Sequence, residues 1–253
     1  MAAGPSTREM ERINWLEFAE WVPAKIKTVL LPLGTLEAHG AIPNGTDIIA
    51  PVAIARAIAE RVNAVISPVV AYGFTGVLDA YPGSFTIPEN VYREYVQAVL
   101  HGLARNKFRN IIMLNGHGGG QTAILSALAQ EVGRETTTRI LVVNWWSYCS
   151  DITKEVFGED GGHAGNTETS YMLAVDPSLV SEGRYSGPEM ATAIPAPNTW
   201  SAYPFPSSIL LYKEGEGYPV FDPTKARAFF DKVNDKIARL VEDTIKKWDK
   251  AGL

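Results

Sequence analysis

Apolar positions along this chain alternate between short continuous runs and longer stretches in which they recur every third or fourth residue. Thr28-Val29-Leu30-Leu31-Pro32-Leu33 is a continuous run and predicts a buried strand despite its proline. Asp47 to Val62 has the helical spacing and predicts a helix. Ala64 to Val69 predicts the next strand, and Pro88 opens a helix to about Arg105, since proline suits a first helical turn. A strand over Asn110–Leu114, a helix over Gln121–Arg134 and a β-branched strand over Arg139–Asn144 follow. A helix near Thr167–Val175 is stopped by Asp176-Pro177, and the last one runs from Thr224 to about Lys250 with apolar residues at 229, 230, 233, 237, 240 and 241. Strand alternating with helix predicts a mostly parallel sheet covered on both faces. The proline-rich stretch from Pro177 to Pro223 is the least regular, and a segment of that length is usually functional or covers a subunit contact.

Composition narrows the picture without redirecting it. With 253 residues, 46% of them hydrophobic, the chain can bury a full core, and residues 1–253 are expected to form one domain without repeats or linkers. A net charge of −5 and scattered Lys and Arg give no support to nucleic-acid binding. No window approaches eighteen apolar residues, and Met1 to Trp15 lacks the apolar stretch of a signal peptide, so a cytoplasmic, non-membrane protein is expected. A single cysteine, Cys149, excludes an internal disulfide and a thiolate metal cage.

The candidate chemistry lies in Gly-containing polar segments: Leu36-Glu37-Ala38-His39-Gly40, Gly45-Thr46-Asp47, Asn115-Gly116-His117-Gly118-Gly119-Gly120 and His163-Ala164-Gly165-Asn166-Thr167-Glu168. Histidine and carboxylate side chains on such turns are what a divalent cation needs. Two of these segments follow predicted strands directly, and ligands bind beyond the carboxyl ends of strands in open parallel sheets. Residues two apart in an extended segment point the same way, so Glu37 and His39 can face one site together. Each residue also has a purely structural reading. Asp47 could cap its helix, His39 could be a hydrogen-bonded loop histidine, Glu168 could be a first-turn acid and His163 a surface residue. His117, among four glycines, has little to pack against, and a functional role is favoured there. The fourth histidine, His101, falls inside a predicted helix and reads as structural.

Taken in order, Leu33-Gly34-Thr35-Leu36-Glu37-Ala38-His39-Gly40, Thr46-Asp47, Asn115-Gly116-His117-Gly118-Gly119 and His163-Ala164-Gly165-x-x-Glu168-Thr169-Ser170 resemble the creatininase (creatinine amidohydrolase) family. The resemblance runs from about Leu31 to Asp176, and Gly217-x-x-x-x-Asp222-Pro223 resembles the family's segment before its last helix. It implies a three-layer α/β/α sandwich, usually a homohexamer, with two divalent ions (zinc, manganese or iron) at the carboxyl edge of the sheet. It further implies that Glu37 and His117 serve one ion and His39 the other, with Asp47 bridging. Members that hydrolyse creatinine carry a glutamate two residues after the histidine matching His117, where this chain has Gly119. Glu168 is the candidate replacement, and other branches of the family resemble this chain in that respect. His163 matches the family's catalytic histidine. Asp160, three residues earlier, matches an aspartate beside that histidine and could orient or charge it.

The implied reaction is metal-dependent hydrolysis, with hydroxide from a metal-held water attacking a carbonyl and His163 moving the proton to the leaving atom. The implied substrate is a small molecule, with a C–N bond of a cyclic amide as the expected target. A C–C bond of a cyclic polyol-derived ketone is the alternative, as is an inactive member that only holds metal or ligand. Glu159, Gly118 and Asp79 stand where the creatinine-hydrolysing members or many other members carry tryptophan, tyrosine and histidine, which argues against creatinine itself. Trp145, Trp146 and Tyr148 are candidates for the pocket wall or, equally, for a subunit contact.

Overall fold

The structure is a computed structural model and describes residues 4–159, 161–185, 191–196, 198–211 and 218–253. Its centre is a parallel sheet of β1 (Thr28–Leu33), β2 (Ala64–Ile66), β3 (Asn110–Asn115) and β4 (Arg139–Asn144), ordered β2-β1-β3-β4. Leu30 pairs with Ile66 and Ile112, and Ile112 in turn with Leu141, so the registers run straight across the sheet. β1 and β3 are buried along their whole length, as continuous apolar runs require when both faces are covered. Pro32 is tolerated in a central strand because β1 pairs with β2 only through Leu30, while the Pro32 carbonyl still accepts from the Val70 N–H at 3.0 Å. The second strand ends at Ile66, short of Val69, as Pro68 supplies no ladder donor.

Alternate side chains of each strand enter two separate cores. Leu30, Ile112 and Val143 pack with one helix layer: α2 (Thr46–Ile58), α6 (Ser150–Phe157), α7 (Asn166–Val175) and α8 (Pro223–Lys250), where α5 is the short Trp145–Tyr148 turn. Val29, Leu31, Ile111 and Met113 pack with the other: α1 (Trp15–Trp21), α3 (Glu89–Arg105) and α4 (Gly119–Glu135). This is the parallel sheet covered on both faces that the alternating pattern predicts, and the three-layer α/β/α sandwich that the resemblance implies. Each large apolar side chain buried in these layers contributes roughly 1.5–3 kcal/mol. A two-stranded parallel piece, β5 (Ala191–Ala193) with β6 (Ile209–Leu211), lies within the proline-rich stretch. Among the described residues no helix is long and apolar enough to cross a membrane.

The strand order places a topological switch between β1 and β3, where the crossovers leave in opposite directions and a crevice opens at the carboxyl edge. The first turn of α2 is wedged into it. A Cβ on Gly34, just after β1, would lie 2.2 Å from the Asp47 carbonyl oxygen, and one on Gly116, just after β3, would lie 1.9 Å from it. Only glycine lets both strand-end turns close on the same helix start.

Candidate metal centre

That wedge sets the geometry of the site. β1 delivers Glu37 and His39, β3 delivers His117, the start of α2 delivers Asp47, and the start of α7 delivers Glu168 with His163 just before it. The N-cap of α2 is Gly45, so Asp47 is not a cap; its carboxylate faces inward between two imidazoles. Asp47 Oδ2 lies 2.9 Å from His117 Nδ1, and Asp47 Oδ1 lies 3.1 Å from His39 Nε2. Glu37 Oε1 is 3.2 Å from the same His117 nitrogen, and Glu168 Oε2 is 3.6 Å from His39 Nε2. Two donor groups therefore share one carboxylate: Glu37/Asp47/His117 and His39/Asp47/Glu168, each with its atoms within 4.8 Å of one another. A third group, Glu37/His39/His163, meets the same criterion.

The donor chemistry calls for cations. Glu37, His39, Asp47, His117 and Glu168 are all buried, and buried charge is costly unless compensated. His39 Nδ1 faces its neighbour's backbone oxygen, that of Glu37, at 2.9 Å, which fixes a proton there. The other nitrogen, Nε2, then points a lone pair at two carboxylates. Both His39 Nε2 and Glu37 Oε2 are buried without a hydrogen-bond partner. Either an extra proton or a metal ion must sit among these atoms. Without metal the strain appears in the proton affinities. Burial pulls the His39 pKa down, yet Asp47, Glu168 and Glu37 together raise it to about 10. Burial likewise opposes protonation of His117, and Glu37 and Asp47 lift it well above its ordinary value. Burial raises the Glu168 carboxyl to about 7, partly offset by the His39 charge. Nitrogen and oxygen donors of this kind suit zinc, manganese or iron.

His163 is held differently. Its Nε2 lies 2.6 Å from the Ala38 carbonyl oxygen and therefore donates, leaving Nδ1 as the free base 3.5 Å from Glu37 Oε1. Its ring packs on His39 with centroids 4.2 Å apart. Burial, then the neighbouring His39 charge, pushes its pKa down to about 4, so the ring is neutral at ordinary pH. Asp160 lies outside the described residues, as does Gly217.

A cavity of about 580 Å³ opens onto these side chains. Phe74, Val77 and Leu78 form one wall, Trp146 another, and the Gly116–Gly120 turn the floor. Gly119 has φ +57°, and a Cβ there would meet nothing within 4 Å, so the space a longer side chain would fill is open to the cavity. Glu168 instead approaches from α7 and accepts from the Ala164 N–H at 2.6 Å. Of the three aromatic residues after β4, only Trp146 lines the cavity. Trp145 is buried against Tyr171, and Tyr148 turns outward under Lys236, because a helical turn rotates successive side chains instead of alternating them. Ser150 and Thr167 also line the cavity and carried no sequence signal beyond their nearness to the histidine motifs. His101 sits away from the site and pairs with Glu135 at 3.1 Å.

Comparisons with known proteins place the chain in one family. The family model for creatininase (creatinine amidohydrolase) matches residues 11–241. The chain is 28% identical over 191 residues to a creatinine amidohydrolase of Pseudomonas putida, covering 68% of this chain and 73% of that protein. It is 30% identical over 183 residues to a mycofactocin precursor peptide peptidase of Mycobacterium ulcerans, covering 65% of each. In three dimensions it superposes on a Zn–Zn-type mutant creatininase with a TM-score of 0.76 and 22% identity, covering 94% of this chain and 98% of the other.

Proposed function

The chain belongs to the creatininase family, and on that premise we propose that it is a dinuclear metal-dependent amidohydrolase cleaving the C–N bond of a small cyclic amide or related molecule. The observation that carries the reading is the single Asp47 carboxylate shared by the Glu37/Asp47/His117 and His39/Asp47/Glu168 groups. One shared carboxylate with two flanking sets is the arrangement a bridged pair of ions requires. The Zn–Zn character of the structural relative supports the same count. When bound, the two ions would lower the pKa of a water toward neutrality and polarise the scissile carbonyl.

The protein's own residues handle the proton. With Nε2–H committed to Ala38, His163 offers only Nδ1, and because burial keeps the ring neutral that nitrogen is free to accept a proton before it donates one. It takes a proton from the attacking water and gives the same proton to the leaving nitrogen as the C–N bond breaks. Phe74 and Trp146 hold an apolar substrate face, while Ser150 offers a hydroxyl to its polar atoms; the Thr75 and Thr167 hydroxyls are spent on Phe85 and Asn166. Asp160, three residues before His163 in the chain, orients or charges it in this proposal. The reading takes residues 1–253 as one catalytic domain, working in the cytoplasm as a homohexamer on a small molecule rather than on nucleic acid or membrane.

The test is a panel of cyclic amides, formamides and cyclic polyol ketones, assayed with metal-stripped protein before and after reloading with zinc or manganese. Turnover of an amide that appears only on reloading supports the proposal. Turnover of the ketone alone would replace the C–N reading with the C–C one. No turnover at two bound ions per chain would favour a protein that only holds metal or ligand.

A further inference from the structure

Behind His117 lies a chain of amides that the site described so far does not use. Asn115, the last residue of β3, is fully buried, and its side chain is saturated. Its Nδ2 donates to the His117 carbonyl at 2.7 Å and to Asn144 Oδ1, at the end of β4, at 2.8 Å. Its Oδ1 accepts from the His117 N–H at 3.2 Å and from Gln121 Nε2 at 2.9 Å. Reversing this amide would break all four bonds, so its orientation is fixed. That in turn fixes Gln121, whose Oε1 accepts from the Phe74 N–H at 3.2 Å.

Gln121 is the third residue of α4, where a glutamine side chain often reaches back to its own helix cap. Here it reaches across to another loop. The fit is tight on both sides: a Cβ on Gly73 would lie 2.3 Å from Gln121 Oε1, and one on Gly120 would lie 2.7 Å from the Phe74 ring. Residues 74–78 wall the cavity, and His117 belongs to the donor set. We propose that Gln121 is a positioning residue whose amide ties the His117 turn to the Phe74 loop, so that the donor set and the substrate wall hold or move as one unit. Its functional consequence rests on the metal reading above; the tie itself does not. A metal ligand whose supporting partners are lost typically binds its ion about 10–100-fold more weakly.

Three variants decide it. Gln121→Leu removes both bonds. Gln121→Glu keeps the acceptor for Phe74 and loses the donor for Asn115. Asn110→Ala removes a buried amide that pairs with Thr28 at 3.1 Å, at the opposite end of the sheet. Amide hydrogen exchange on the metal-free proteins is the first readout. Gln121→Leu is expected to speed exchange about tenfold in both the 73–78 and 115–120 segments, as for loss of one hydrogen bond each. Gln121→Glu should speed only 115–120, and Asn110→Ala neither. Cobalt(II) titration is the second readout, with binding weakened about 10–100-fold in both Gln121 variants and unchanged in Asn110→Ala. Exchange unchanged in Gln121→Leu, or accelerated in one segment only, would overturn the proposal. So would equal effects in Asn110→Ala, which would mean that lost stability alone is being read. If the wild-type protein takes up no cobalt(II), the metal reading falls and the exchange data still decide the tie.

Discussion

The two ends of the central sheet are equally buried and chemically opposite. At the amino end, Asn110 meets Thr28, and Arg139 Nη1 reaches both Asn110 Oδ1 at 3.5 Å and the Asp249 surface carboxylate at 2.8 Å, so that this cation has an anion although its Nε is left without a partner. At the carboxyl end, three carboxylates and three imidazoles crowd together, with His39 Nε2 and Glu37 Oε2 left without a partner. Parallel topology explains the asymmetry. Every strand here runs the same way, so the helices that return begin at the carboxyl edge. Asp47 and Glu168 stand in the first turns of α2 and α7, where backbone N–H groups favour negative charge. One end of the sheet is built for stability, and the other gathers acidic and histidine side chains that could hold a cation.

Substitutions at the two ends should therefore fail in different ways. The largest effect is expected for Asp47→Ala, which removes the carboxylate common to both donor groups. Metal analysis should show loss of both ions and turnover should vanish; retention of one full equivalent would make Asp47 a terminal ligand. Next comes His163→Asn, expected to keep both ions while turnover at the pH optimum falls about 10²–10⁴-fold. Loss of an ion in that variant would move His163 into the Glu37/His39/His163 group as a ligand.

The comparison also predicts how metal-free protein responds to pH. His39 has a native pKa near 10 against an ordinary 6.5, so its stabilising contribution is complete below pH 6.5 and is lost as pH rises toward 10. Glu168, raised from 4.5 to about 7, loses its contribution earlier, as pH rises from 4.5 to 7, and adds little above that. The melting temperature of stripped protein should fall between pH 7 and pH 10, while that of metal-loaded protein stays nearly level. Parallel curves for the two forms would break the link between the crowded end and cations. The smallest effect belongs to Asn110→Ala, which should cost about 1–3 kcal/mol of stability by denaturant unfolding and leave turnover per folded molecule unchanged.

Much of this contrast was legible in the chain. β1 and β4 have the bounds that the apolar runs predict, and the Glu37, His39, Asp47, His117 and Glu168 side chains, named from their segments, meet at one sheet edge. Local pattern sufficed because a continuous apolar run followed by a glycine turn has few ways to fold in a parallel sheet. What pattern could not give was orientation and reach. The α6 helix was missed because its eight residues carry only two buried positions, Ile152 and Thr153. α1 was missed because none of its residues is buried. Trp145 and Trp146 are indistinguishable as letters, and only the helical turn sends one to the core and the other to the cavity. Gln121 looks like an ordinary helix residue until the Phe74 loop, 47 positions earlier, arrives on its amide oxygen.

The central claim is that Asp47 bridges two ions held by two different sets of side chains. Anomalous diffraction from crystals of zinc- or manganese-loaded protein tests it most directly. The account predicts two peaks, one among Glu37, Asp47 and His117 and one among His39, Asp47 and Glu168, with Asp47 touching both. A single peak, or a second one held by His163 in place of Glu168, would contradict it.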